Sequence, residues 1–190
     1  MAISVKFDHI EAMYKSTPMN ASGSLARIDK LLDEIVADPV LQKDAIFKSN
    51  TMFSSDITLN GTISLLDTEH KIVDIATKFH SYLCDILTHV NQLELKKVES
   101  GSDFTNFDGF KKDIISTQQQ LIAIPFEIAE FHDKHDEDLK MKNKIKSAEE
   151  QKLQRKIILQ GHKAYLVHQI TDFINTMEYT RRLYRFLIKA

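Results

Sequence analysis

The side chains that could do chemistry in this 190-residue chain are few. His132-Asp133-Lys134-His135-Asp136 places two imidazoles three residues apart, on one face of a helix. Imidazole beside carboxylate is the ligand chemistry of zinc and related transition metals. The surrounding charge density yields such clusters by chance, however, and no second His-bearing motif has matching spacing. Asp67-Thr68-Glu69-His70 is an Asp variant of the Glu-x-x-His motif that di-iron bundles carry in pairs, and it has no partner copy. Cys84 lies between Leu83 and Ile86 on an apolar helical face, near His80 and His89. That placement suits a buried, inert thiol better than a nucleophile. The basic residues from Lys140 to Lys156 lack interleaved aromatics, and Glu149 and Glu150 interrupt them, so a solvated face is expected and not a nucleic-acid site. No Gly-x-Ser-x-Gly elbow, Walker loop or Gly-rich dinucleotide turn occurs. No catalytic residue, cofactor or metal is expected. A helical metalloprotein using His132 and His135 is kept as an alternative.

The elements that must position these groups are long helices. Five glycines and three prolines leave little punctuation. Apolar residues make up 43%, enough for a continuous core, and the formal charge of -2 creates no field that selects nucleic acid or anionic membrane. A single cysteine excludes an internal disulfide. The N-terminus lacks a basic start followed by an apolar run, so synthesis in the cytoplasm without a signal peptide is expected. No apolar stretch nears the roughly 20 residues that span a bilayer, so no membrane insertion is expected.

Ser24 is a candidate cap for a first helix with Leu25, Ile28, Leu31, Leu32, Ile35 and Val36 on one face. Asp38-Pro39 ends that helix and starts another, because Asp caps and Pro suits the first helical position. From Pro39 the pattern reads as helical to about Leu95, with Asn60-Gly61 its weak point. A loop is expected near 99–109, separating two helical halves of one elongated domain spanning 1–190. The next helix should run from near Phe110 to about Phe131, kinked or ended near Ile124 by Pro125. The charge-rich stretch His132 to Lys156 should project into solvent. In the last helix Ile170, Ile174, Met177, Arg181, Tyr184 and Ile188 alternate by 4 and 3, a heptad-like seam. The expected fold is all-α, an elongated bundle or hairpin of long antiparallel helices.

Ile3-Ser4-Val5 opens the chain with an I-x-V pattern. Leu41-Gln42-Lys43-Asp44-Ala45 falls at an L-x-G-x-A position, with Lys43 in place of the glycine. Phe53-Ser54-Ser55-Asp56-Ile57 leads an aromatic into a long apolar helix. A central loop, the Gln118-Gln119-Gln120 helix and an apolar terminal helix follow. This layout resembles the LXG domain, the helical N-terminal region of polymorphic toxins exported by type VII secretion systems. The resemblance implies a non-enzymatic targeting module that docks small WXG100-like helical-hairpin proteins and is presented to the secretion ATPase. The Phe104-Thr105-Asn106-Phe107-Asp108 run has the spacing of that system's aromatic-x-x-x-acid signal, but in a loop. Partner contact is assigned to Ile170, Ile174, Met177, Tyr184 and Ile188. An intracellular bundle that self-associates through the same seam is the other reading.

Overall fold

The computed structural model describes residues 21–49, 65–100, 107–142 and 147–189. Among them the fold is all-α, a bundle of long helices. Helix α1 spans Ala21–Ala37, a 3-10 turn Pro39–Leu41, α2 Lys43–Lys48, α3 Leu65–Ser100, α4 Phe107–Lys142 and α5 Ala148–Lys189. At about 1.5 Å per residue, α3 and α4 are each about 54 Å long and α5 about 63 Å. Contacts of rising number in one helix and falling number in the other show that α3 and α4 are antiparallel: Lys111 meets Glu94, Gln118 meets Cys84, and His132 meets Glu69. Helix α5 returns antiparallel to α4, pairing Tyr179 with Asp113 and Tyr165 with Glu127. It therefore runs parallel to α3, and α1 lies antiparallel to both, through Arg27–Asp85 and Arg181–Asp29.

Local sequence explains the element ends. Asp38 closes α1 with its N–H on Glu34 O at 3.0 Å, and its carboxylate accepts from the Val40 N–H at 3.0 Å. Pro39 begins the next element as expected, but that element is a single 3-10 turn. The continuous helix expected from Pro39 is therefore broken twice, at the turn and at Ser49, where α2 ends. Leu41, Gln42 and Lys43 form the corner: Leu41 is buried, the Gln42 amide donates to Val36 O and Asp38 O, and Lys43 opens α2. Ser24 is not a cap, because α1 already includes Ala21 and carries Ser24 inside it. Helix α4 starts at Phe107 and passes through the buried Pro125 to Lys142 without ending. Packing on both sides outweighs the one hydrogen bond that proline removes. The expected motif residues Ile3, Val5, Phe53 and Ile57, the Asn60-Gly61 break and most of the Phe104–Asp108 run lie outside the described residues.

One apolar core runs along the bundle, with Ile28, Leu31 and Ile35 of α1, Ile72, Phe79, Leu83 and Ile86 of α3, Phe110, Leu121 and Ile128 of α4, and Leu166, Phe173 and Tyr184 of α5. The terminal seam belongs to this core. Ile170, Met177 and Tyr184 are buried, which corrects their assignment as partner contacts. Ile174 is partly buried against the same cluster, and the Ile188 side chain lies outside the described residues. The reason is α5's central use: its 4-and-3 stripe is the side that faces α1, α3 and α4. Met177→Asp should therefore unfold the chain by several kcal/mol, as a carboxylate would be stranded in apolar surroundings. Urea denaturation followed by circular dichroism checks this; a stable, merely monomeric variant would return the seam to the surface.

Candidate functional site

Two features stand out once the bundle is assembled. The first is a polar cluster inside it. Glu69 on α3 is fully buried, and both of its neighbours come from other helices. His132 Nε2 of α4 lies 2.9 Å from Oε1 and 2.8 Å from Oε2. His162 Nε2 of α5 lies 2.5 Å from Oε1. The Glu69 and His162 side chains are each 1% exposed and that of His132 is 18% exposed, so the cluster reaches solvent only at His132. Phe131 stacks on the His162 ring at 3.7 Å and 4°, and Tyr165 lies nearly parallel to it on α5 at 6.0 Å. The Tyr165 hydroxyl donates to Glu127 at 2.6 Å. Burial alone would raise the Glu69 carboxyl; hydrogen bonding and charge from His132 and His162 outweigh it and hold the group below the usual carboxylate range.

His132, in a stretch expected to face solvent, turns inward. It joins Glu69 and His162, and the side chain of His135, the expected second member, lies outside the described residues. Glu69 stood inside the Asp67–His70 motif but between the two residues that formed it. His162 gave no signal, since its partner is 93 residues away. Only the register of α3 against α4 and α5 brings the three together.

The second feature is on the outside of α5. Leu153, Ile157, Tyr179 and Phe186 are 60%, 61%, 46% and 61% exposed. At about 100° per residue they fall within an arc of about 80°. The buried residues Leu166, Ile170, Phe173, Met177 and Tyr184 occupy the opposite side. Helix α5 thus has two apolar stripes, one in the core and one left largely open by the described residues, with Tyr179 bonded to Asp113 of α4. Exposed Ala164, His168, Asn175 and Arg182 lie within the same arc, between the apolar residues.

Cys84 behaves as its apolar position suggests. It is half-buried, its sulfur accepts from the Gln118 amide at 3.2 Å, and His80 Nδ1 lies 3.8 Å away. Burial and the Asp85 charge push the thiol up to about 11. His80 is fully buried, and burial pushes it down to about 4. No family model, curated protein or solved structure matches this chain. Among the described residues, no helix is long and apolar enough to cross a membrane.

Two outcomes follow from these environments. Native Cys84 should react with iodoacetamide at pH 8 at least about ten-fold more slowly than in the urea-unfolded chain, because little thiolate exists so far below its pKa; equal rates would mean an activated thiol. An unfolded chain protonates His80 near 6.5, whereas the folded chain resists until about 4. Stability therefore falls as pH drops from about 6.5 to about 4, by up to about 3 kcal/mol from this residue. Glu69 acts in a lower window: its contribution is present above the ordinary carboxylate pKa and is lost as pH falls below it. Denaturation curves of wild type and His80→Gln at pH 7 and 4.5 measure the first effect, and identical pH dependence would refute it.

Proposed function

We propose that this chain is a non-enzymatic docking module whose partner lays an amphipathic helix along the outer face of α5. The observation that carries this reading is the second apolar stripe of Leu153, Ile157, Tyr179 and Phe186, on the side opposite the core. Among the described residues, only one of the two apolar faces of α5 is extensively covered. Leu153 and Ile157 are about one turn apart and Tyr179 and Phe186 about two, so each pair has the spacing of anchors in helix-in-groove recognition. The LXG resemblance supplies the partner class: small WXG100-like helical hairpins, with delivery to the type VII secretion ATPase. The face differs from the one that the heptad-like seam suggested, because the seam residues pack inward.

The test is coexpression with helical-hairpin proteins of about 100 residues encoded beside this chain's gene. A hairpin should copurify with wild type, and Leu153→Glu/Ile157→Glu should weaken the complex by at least about ten-fold while helicity is unchanged. Phe186→Glu should do the same alone. Retention of the complex by folded variants, or failure of every such hairpin to bind, refutes the proposal. Light scattering of the chain alone covers the remaining occupant, a second copy: a dimer lost in the same variants would replace the hairpin partner with self-association.

A further inference from the structure

The cluster inside the bundle has no part in docking along the outer face of α5, and its chemistry is specific. We infer that Glu69, His132 and His162 form a binding site for one divalent transition-metal ion of the zinc type. One ligand atom from each residue lies within 4.8 Å of the other two, and the three residues come from α3, α4 and α5. Two imidazole nitrogens and one carboxylate oxygen are a borderline donor set, which selects zinc, cobalt or ferrous iron over calcium or magnesium. Both histidines present the same nitrogen, Nε2, to one carboxylate.

Metal–ligand bonds of about 2.0–2.1 Å put neighbouring ligand atoms about 3.0–3.4 Å apart. The present separations of 2.5 to 2.9 Å are hydrogen bonds to Glu69. An ion is therefore admitted when the side chains part by about half an ångström to one ångström. On binding, each Nε2 must be free of hydrogen: a protonated ring releases its Nε2 proton to solvent, and a neutral ring carries its single hydrogen on Nδ1, while the carboxylate exchanges its hydrogen bonds for a metal bond. The His162 ring is already held in plane by Phe131 at 3.7 Å, so little rotamer freedom is lost at that ligand. His132, the partly exposed member, is the way in. Three protein ligands leave at least one coordination position for water, and the ion links three helices that otherwise meet here through hydrogen bonds and the Phe131–His162 stack.

The test uses the whole chain, stripped with EDTA and dialysed. Titration with Co2+ should saturate at one equivalent with visible ligand-field absorption, Zn2+ should displace it, and Zn2+ should raise the melting temperature. His132→Gln and His162→Gln should each weaken Co2+ binding by at least about ten-fold. His168→Gln, an exposed histidine paired with Asp172 outside the cluster, should leave it unchanged. His132→Gln is the more secure of the two variants, because its side chain is partly exposed; circular dichroism confirms that it folds. A folded wild-type chain that takes up no stoichiometric Co2+ or Zn2+ overturns the inference and leaves a hydrogen-bonded triad. Undiminished binding by folded His132→Gln overturns it as well.

Discussion

Helix α3 runs through the middle of the bundle with α1, α4 and α5 packed around it, and water is excluded from most of its circumference. Leu65, Ile72, Val73, Phe79, Leu83, Ile86 and Val90 are buried along it, and so are Thr68, Glu69, Thr77, His80, Ser81 and Asp85. An apolar side chain gains from that exclusion, about 25 cal/mol for each Å² removed from water. A polar one loses unless it is paired. Every polar residue on the hidden faces of α3 must therefore find a partner on its own helix or on another, and much of the bundle's order follows from how each does so.

The solutions vary with the side chain. Thr77 turns back to Val73 O at 2.8 Å, which satisfies a hydroxyl within one helix turn. Thr68 reaches Val40 O and so ties the 3-10 turn to α3. Glu69 carries a charge and takes two histidines from two other helices. Asp85 relies on Arg27 at 3.6 Å, its Oδ2 has no hydrogen bond, and burial raises its carboxyl. His80 is held neutral. Lys163, a buried cation on α5, donates to Phe47 O at the end of α2, where exposed carbonyls favour positive charge. The least symmetric of these solutions, three ligand-type groups around one point, is also the one with chemistry beyond structure.

The outer face of α5 shows the same physics from the other side. Its core stripe is covered by other helices, and the opposite stripe, apart from Tyr179 bonded to Asp113, is left open by the described residues. A heptad-like seam read from sequence identifies an apolar face without saying what covers it. Ile170, Met177 and Tyr184 satisfy that pattern by packing inward, while Leu153, Ile157, Tyr179 and Phe186, spread over nine turns and interrupted by polar residues, form the stripe left outside.

Helical class, the Asp38-Pro39 junction and the inert setting of Cys84 were legible in the sequence, because each rests on contacts within a few residues. Apolar spacing of 3 and 4 marks a helix wherever it packs, and a cap acts over two or three positions. Element continuity was not legible at Leu41-Gln42-Lys43, where an apolar pattern continues across a turn, or at Pro125, where packing carries a helix through a residue that weakens it. The Glu69–His132–His162 cluster was visible only as isolated parts. Its members are separated by 63 and 93 residues and share no motif. Their meeting depends on the vertical register of three long antiparallel and parallel rods, which is set by core packing along their whole length. Tertiary structure alone decides such a register, and with it which of several similar histidines faces a buried carboxylate and which faces water.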